Sequence, residues 1–163
     1  MMRRAGLAAI VALLGVASVP WAGALPGGGA GTLAAQAGGG ADEASLRSAV
    51  ASIARSWQRG DAGGVVAQVA EEGVRLQLPG GGSSPLSQRR AAAVLRRLLG
   101  DGDGASASAG MVGVVEGSPP RGFGELVWES RADGTPGPQR RVVYLGFTME
   151  DGRWRLTEIR LLG

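Results

Sequence analysis

The sequence of 163 residues lacks cysteine, histidine and lysine, and these three absences exclude more than the overall composition does. Without cysteine, the chain forms no disulfide and offers neither a thiolate nucleophile nor a cysteine-ligated zinc site. Without histidine, it has no imidazole base and no Ser–His–Asp triad. Without lysine, it has no Schiff-base amine and no P-loop lysine. The sequence therefore excludes all of these chemistries.

The charge is more balanced than the sequence pI near 10.8 suggests. All 17 basic residues are arginine and 14 residues are acidic, which gives a net charge of +3. Removal of residues 1–24 takes away Arg3 and Arg4 and leaves 15 arginines against the same 14 acidic residues. One dense basic group remains, and it is predicted to form the solvent-exposed polar side of an amphipathic helix. No nucleic-acid binding is expected from it. It consists of Arg89, Arg90, Arg96 and Arg97.

The N-terminus has the pattern of a secretory signal peptide. A short basic start over residues 1–4 precedes the uncharged apolar run 5–19, and Ala22-Gly23-Ala24 follows as a small-x-small cleavage site. Ala35-Gln36-Ala37 is a second candidate site. An uncut membrane anchor is the alternative, but 15 apolar residues are fewer than the roughly 20 that a spanning helix needs. Residues 1–24 are therefore predicted to be a cleaved signal peptide, and the protein is expected to be periplasmic or extracellular.

The rest of the chain divides into a leader and one domain. Residues 25–41 are rich in Gly and Ala and carry no charge, so they are predicted to be a disordered leader. Residues 42–163 are enough for one domain with one core. Within it, the first helix is predicted over 42–58, with Asp42 as its N-cap. Its apolar stripe is formed by Leu46, Val50, Ile53 and Trp57.

Two further helices are predicted before the pattern changes. Gly60 ends the first helix, and Asp61 caps a weaker second one. A short strand over 74–78 follows, then a loop over 79–85, and Ser87 caps a third helix. The third helix directs its apolar residues inward and its four arginines outward. Its inward residues are Ala91, Val94, Leu95 and Leu98.

After residue 104 the hydrophobic period changes from 3.6 to 2, which predicts strands. They are placed near 107–116, 122–132, 140–150 and 153–162. One face of the third of these strands is apolar, with Val143, Leu145, Phe147 and Met149, and Tyr144 lies on the other face. In the last strand the apolar parity changes between Leu156 and Ile159, which predicts a bulge or a strong bend.

Two helices are joined at Gly60-Asp61, and a strand ending at Leu78-Pro79-Gly80 and a third helix follow. An antiparallel meander then closes in Asp151-Gly152-Arg-Trp154-Arg-Leu156. This order of the predicted elements resembles that of the nuclear transport factor 2-like superfamily. The helix start at Leu86-Ser87-Gln88 is similar to the exported bacterial family called domain of unknown function 4783. The resemblance implies an α+β, cone-shaped roll: three N-terminal helices packed on a strongly bent, mostly antiparallel sheet. It also implies that a ligand or active site would lie inside the cone.

The residues favour binding over catalysis inside this cone. If the apolar face of the 140–150 strand lines the cone, the only tyrosine points away from it and no oxyanion donor remains. We therefore expect an exported non-catalytic domain that binds a small apolar ligand or a protein partner and needs no cofactor. The candidate pocket-lining residues, which would otherwise be core, are Trp57, Leu76, Trp128, Leu145, Phe147 and Trp154. The resemblance also implies a candidate homodimer through the open sheet face around Val142, Tyr144 and Thr148.

The alternative is a cofactor-free enzyme of the isomerase, dehydratase or cyclase type with a carboxylate base. Glu158 is the weak catalytic candidate, because it and Arg160 share the parity of Trp154 and could reach the mouth of the cone. Its competing interpretation is a salt-bridged residue beyond a bulge. Glu129 is the second candidate base, although with Glu125 it is predicted to form a solvent-facing acidic stripe. The segment Asp101-Gly102-Asp103-Gly104 has too few ligands for a calcium loop, so no metal is expected.

Overall fold

The computed structural model describes residues 30–79, 81, 84–100, 103–131 and 137–162. Three helices precede the main strands: α1 (Ala30–Gln58), α2 (Ala62–Val66) and α3 (Gln88–Gly100). The predicted signal peptide and the start of the predicted leader lie outside the described residues. Within the described part of the chain, no helix is both long enough and apolar enough to cross a membrane.

The first helix begins earlier than its sequence pattern predicts. It starts at Ala30, 12 residues before the predicted start at Asp42. This segment is rich in alanine, the best helix former, and it extends a helix whose costly nucleus is already supplied by the packed part. Asp42 therefore lies inside α1, where its backbone carbonyl accepts a hydrogen bond from the Trp154 indole at 3.0 Å.

The junction between α1 and α2 follows the sequence closely. Gly60 has φ +67°, the left-handed conformation that ends a helix and favours glycine. The carboxylate of Asp61 accepts a hydrogen bond from the backbone N–H of Gly64 at 2.8 Å, and Asp61 is the N-cap of α2. The predicted stop and cap are both confirmed. They fix the direction in which the chain leaves Trp57, which matters for the pocket described below.

Six strands form one sheet. They are β1 (Val74–Gln77), β2 (Pro85–Leu86), β3 (Asp103–Val115), β4 (Arg121–Arg131), β5 (Gln139–Glu150) and β6 (Arg153–Leu162). Their order across the sheet is β2-β1-β6-β5-β4-β3, and every neighbouring pair is antiparallel except β1 with β6. The predicted antiparallel meander is confirmed as β3 to β6. The two-residue strand β2 lies where the sequence predicts only a loop.

The core fills the space between the helices and one face of the sheet, which we call the inner face. The stripe of α1 is buried, with Leu46, Val50, Ile53 and Trp57 at most 1% exposed. On β5, Val143, Leu145 and Phe147 are buried as predicted, and Tyr144 lies on the opposite, outer face. Gly124 on β4 allows α1 to approach closely, because a Cβ at this position would collide with Val50. The chain is thus an α+β protein with its helices on one side of a mostly antiparallel sheet.

A bulge in β6 moves its side chains from one face to the other. Gly146 pairs with Glu158, but the next residue, Phe147, pairs with Leu156, so β6 has one extra residue at this point. The predicted bulge is therefore confirmed. Trp154 and Leu156 are buried before it, and Ile159 and Leu161 are buried after it.

Candidate functional site

The candidate site is a cavity of about 270 Å³ at the end of the core where α1 and α3 both finish. We call it the tryptophan pocket. It is formed by the last turn of α1 and the turn after it, by the last turn of α3, by the first part of β3 and by β4. Its lining residues are Trp57, Gln58, Arg59, Gly60, Leu99, Ala105 and Trp128.

Two indole rings form the inner wall of the tryptophan pocket. The rings of Trp57 and Trp128 meet edge to face, with centroids 5.8 Å apart and an angle of 78° between their planes. This is a favourable arrangement for two aromatic rings. Arg141 lies over the Trp128 ring, with its guanidinium carbon 5.9 Å from the ring centroid. The geometry holds both rings in fixed positions beside the cavity.

The Trp57 indole carries an unsatisfied polar group. Its Nε1 atom is buried and has no hydrogen-bond partner among the described residues, although the whole side chain is only 1% exposed. Leaving a buried donor unpaired costs about 1–3 kcal/mol, so such groups are rare in cores and often mark a function. Trp57 also lines the pocket, so the unpaired N–H belongs to a residue of the pocket wall.

The rim of the tryptophan pocket is polar, and none of its described lining residues is acidic. Gln58 and Arg59 are exposed there. The Arg59 guanidinium is 3.5 Å from the Ser56 hydroxyl and 3.7 Å from an Asp61 carboxylate oxygen, so it is loosely held at the pocket edge. Among the lining residues that the structure describes, none is a tyrosine or a serine either. This part of the lining can therefore bind and orient a molecule, and it holds no general base.

The predicted pocket residues separate into three groups in the structure. Trp57 and Trp128 line the tryptophan pocket. Leu76 and Leu145 are packed in the core, and Phe147 is buried there while also bordering a groove on the outer face. Trp154 lies away from both other rings, at the first turns of the packed part of α1. Its indole N–H donates to the carbonyl of Asp42 at 3.0 Å and to the Ser45 hydroxyl at 2.9 Å.

Sequence reasoning missed the other side of the pocket. Leu99 lies in the last turn of α3 and Ala105 in the first part of β3, and neither residue was predicted to line a pocket. Gln58, Arg59 and Gly60 directly follow Trp57, so the end of the predicted helix was a signal that these residues lie near the Trp57 ring. No spacing rule brings β4 beside the end of α1, because this contact depends on the tertiary fold.

The outer face of the sheet carries a larger and more open groove of about 770 Å³. Phe123 and Tyr144 stack there, with centroids 6.5 Å apart and planes 11° from parallel. The guanidinium carbon of Arg160 is 5.4 Å from the Tyr144 ring centroid. The Arg160 Nη2 donates a hydrogen bond to the Glu158 carboxylate at 2.7 Å. This hydrogen bond and the negative charge of Glu158 raise the pKa of Arg160 above its ordinary value.

The placement of Glu158 differs from the one expected from strand parity. The bulge in β6 breaks the parity shared with Trp154, so Glu158 and Arg160 project from the outer face and not toward the core. Glu158 is the salt-bridged residue beyond a bulge that the competing interpretation describes. Glu129 is exposed, and Glu125 lies opposite Tyr144 on the same outer face, in agreement with the predicted stripe.

The candidate metal loop is only partly within the described residues. Asp101 and Gly102 lie outside them, and β3 begins at Asp103. Among the residues that are described, no three acidic side chains come together in a way that could hold a metal ion.

Comparisons with known proteins identify the fold. No protein-family model matches the chain, and no curated protein matches it significantly. Among solved structures, a nuclear transport factor 2-like protein with a cystatin-like fold from Novosphingobium aromaticivorans superposes with a TM-score of 0.61. That match has 19% identity and covers 82% of this chain and 88% of that protein. The chain has the nuclear transport factor 2-like fold.

Other solved structures with this fold include one from the narrower family that the sequence resembles. A domain of unknown function 4783 family protein from Bacteroides ovatus gives a TM-score of 0.55 at 14% identity, over 68% of this chain and 91% of that one. A ketosteroid isomerase-like protein from Erwinia carotovora atroseptica gives 0.58 at 17% identity, over 74% and 94%. Identities this low establish the nuclear transport factor 2-like fold alone.

Proposed function

We propose that this chain is a non-catalytic binding domain whose tryptophan pocket holds a small molecule with an apolar part and a hydrogen-bond acceptor. The observation that carries the proposal is the buried Trp57 Nε1 without a partner, in a side chain that lines a cavity of about 270 Å³. This volume lies near the lower end of known ligand pockets, so the ligand would be small. Leu99, Ala105 and the two indole rings would contact its apolar part.

A carboxylate-based enzyme is the less supported candidate. One structural neighbour is described as ketosteroid isomerase-like, and a cofactor-free isomerase, dehydratase or cyclase would need a base beside an enclosed pocket. Glu158 and Glu129 both project from the outer face, and Glu158 is engaged by Arg160. The described residues that line the tryptophan pocket include no carboxylate.

Calorimetric titration with acetophenone tests the proposal, because this probe combines an apolar ring with one carbonyl acceptor. Ala105→Leu places a larger side chain in the pocket and is expected to abolish saturable binding. Ser106→Leu is the matched control, because the neighbouring residue is exposed and faces the other side of β3. The proposal fails if Ala105→Leu binds the probe as well as the Ser106→Leu control does.

Self-association through the outer face is a second candidate function. Three large apolar side chains are notably exposed among the described residues: Met111 at 64%, Val115 at 55% and Leu162 at 40%. On the outer face, Val115 lies near one end and Leu162, beside Val142, near the other, with the stacked rings of Phe123 and Tyr144 between them. Exposed apolar surface of this kind can mark an interaction site when it is contiguous. We propose a homodimer through this face. Light scattering is expected to give twice the monomer mass, and Leu162→Glu is expected to return the protein to a monomer.

Export is also proposed, on the basis of the N-terminal sequence. The apolar run 5–19 and the site ending at Ala24 support a cleaved signal peptide and a periplasmic or extracellular protein. The absence of cysteine agrees with either compartment and requires no disulfide chemistry.

A further inference from the structure

The third helix carries a concentrated positive charge. Arg89, Arg90, Arg96 and Arg97 all lie within the 13 residues of α3, and all four are exposed. The helix contains no acidic residue. Within the described part of the chain, none of the four arginines forms an ion pair, whereas Arg47, Arg59 and Arg160 each do. We call these four residues the basic face.

The spacing of the basic face produces two parallel rows of guanidinium groups. Arg89 and Arg96 are seven residues apart, as are Arg90 and Arg97, so each pair lies two turns apart along the helix, or about 10 Å. The apolar stripe of α3 packs into the core on the opposite side, with Ala91, Ala92, Leu95 and Leu99 buried. The basic face therefore points away from the domain and can meet a flat surface without disturbing the fold.

An apolar depression lies between the arginines. It is lined by Leu86, Arg90, Ala93, Val94 and Arg97. Ala93 and Val94 stand between Arg90 and Arg97 on the helix, at the i, i+3, i+4 and i+7 positions of one stripe. Leu86 and Val94 are half-buried, so apolar surface remains open beside the positive charges. A partner for this surface must supply both anionic groups and apolar contact.

We propose that the basic face is a docking site for an anionic lipid surface. Arginine forms strong hydrogen bonds with phosphate groups, and basic amphipathic helices are typical of membrane-surface binding. The apolar depression favours a lipid over a nucleic acid, because acyl chains at the headgroup boundary can fill it, whereas a phosphate backbone cannot. The charge lies on one helix of a chain that is otherwise nearly balanced, so the attraction acts through α3 and orients the domain.

Sedimentation with vesicles tests this proposal in the full chain. Vesicles of phosphatidylglycerol and phosphatidylcholine in equal amounts are compared with vesicles of phosphatidylcholine alone. Each basic residue near an anionic surface contributes about 1 kcal/mol, so Arg90→Gln with Arg97→Gln is expected to lower the partition coefficient about thirtyfold. The apolar run 5–19 is common to all variants, so the comparison isolates α3.

The matched control removes the same number of charges elsewhere. Arg47→Gln with Arg55→Gln changes two exposed arginines on α1 and is expected to leave partitioning unchanged. Arg90→Lys with Arg97→Lys keeps the charge and is expected to retain most of the binding. Circular dichroism confirms that each variant is folded. The proposal is overturned if the two glutamine pairs weaken binding equally, if both vesicle types bind alike, or if duplex DNA competes the protein off the anionic vesicles.

Discussion

The indole rings of Trp57 and Trp128 meet edge to face with their centroids 5.8 Å apart, at the edge of a cavity in the core. The indole N–H groups of Trp57 and Trp154 differ in their hydrogen bonding. Trp154 is equally part of the core, but its indole N–H has two acceptors on α1, whereas the Trp57 N–H has none among the described residues. A core built only for stability would satisfy both donors. The unsatisfied donor is the one beside the cavity.

The two tryptophans should therefore respond differently to loss of the indole nitrogen. Trp154→Phe removes two hydrogen bonds of the indole, while the Ser45 hydroxyl still donates to the Asp42 carbonyl at 2.9 Å. Trp57→Phe removes a donor that has no partner. Both changes lose similar ring area, so we expect Trp154→Phe to lower the free energy of unfolding by about 0.5–1.5 kcal/mol more than Trp57→Phe does, the net value of an ordinary hydrogen bond. Urea denaturation measures both values, and a larger loss for Trp57→Phe would contradict the assignment.

The close contact of α1 with β4 predicts a sensitive glycine. A Cβ at Gly124 would collide with the Val50 side chain, so Gly124→Ala should lower the free energy of unfolding by about 1–3 kcal/mol through overpacking. Gly100→Ala is the control, because no atom lies near the position its Cβ would take. Thermal unfolding should show a lower midpoint for Gly124→Ala and an unchanged midpoint for Gly100→Ala. Equal midpoints would mean that α1 lies farther from the sheet than described.

The cap of α2 is open to a direct test. Asp61→Ala removes the carboxylate that accepts from the Gly64 N–H and should cost about 1 kcal/mol of stability. Asp61→Asn keeps an acceptor oxygen at the same position and should be nearly neutral. Because the turn from Gly60 to Asp61 directs the chain past the tryptophan pocket, Asp61→Ala should also weaken acetophenone binding. Chemical denaturation and titration of the three proteins check both effects, and equal losses for alanine and asparagine would exclude capping as the cause.

Export predicts a defined N-terminus. After secretion, intact-mass measurement and N-terminal sequencing should find a chain that begins at Leu25, because Ala22-Gly23-Ala24 is the first site after the apolar run. A chain that begins at Gly38 would indicate the second site, after Ala37. Recovery of only the uncut chain, attached to the membrane, would contradict the signal-peptide prediction.

Much of the fold could be predicted because it depends on local patterns. The alternation on β5 identified the buried row of Val143, Leu145 and Phe147, and the change of parity in β6 identified its bulge. The stop at Gly60 and the cap at Asp61 follow from backbone conformations that few other residues adopt or stabilise as well. In each case the decisive contact lies within a few residues of the signal.

The features of the fold and the site that could not be predicted depend on contacts between segments that are distant in the sequence. The strand β2 forms because Pro85 and Leu86 meet β1, and nothing in their own sequence indicates pairing. Trp57, Trp128 and Trp154 were expected to share one space, but Trp154 contacts Asp42 and Ser45, about three to four turns of α1 away from Trp57. Glu158 shares the sequence parity of Trp154, although the bulge lies between them. The apolar residues of β6 indicate the bulge, and both faces stayed open for Glu158 until the pairing of Gly146 with Glu158 and of Phe147 with Leu156 fixed the position of the extra residue.

The most direct test of the tryptophan pocket is the nuclear magnetic resonance signal of the Trp57 indole N–H, assigned by its loss in Trp57→Phe. Acetophenone, which has a carbonyl acceptor, should move this signal downfield in a saturable way, while the Trp154 signal stays in place. Ethylbenzene has a similar shape without the acceptor and should perturb the Trp57 signal far less. A Trp57 signal that stays fixed while acetophenone binds elsewhere, or that moves equally with both probes, would contradict the proposed role of the unsatisfied indole donor.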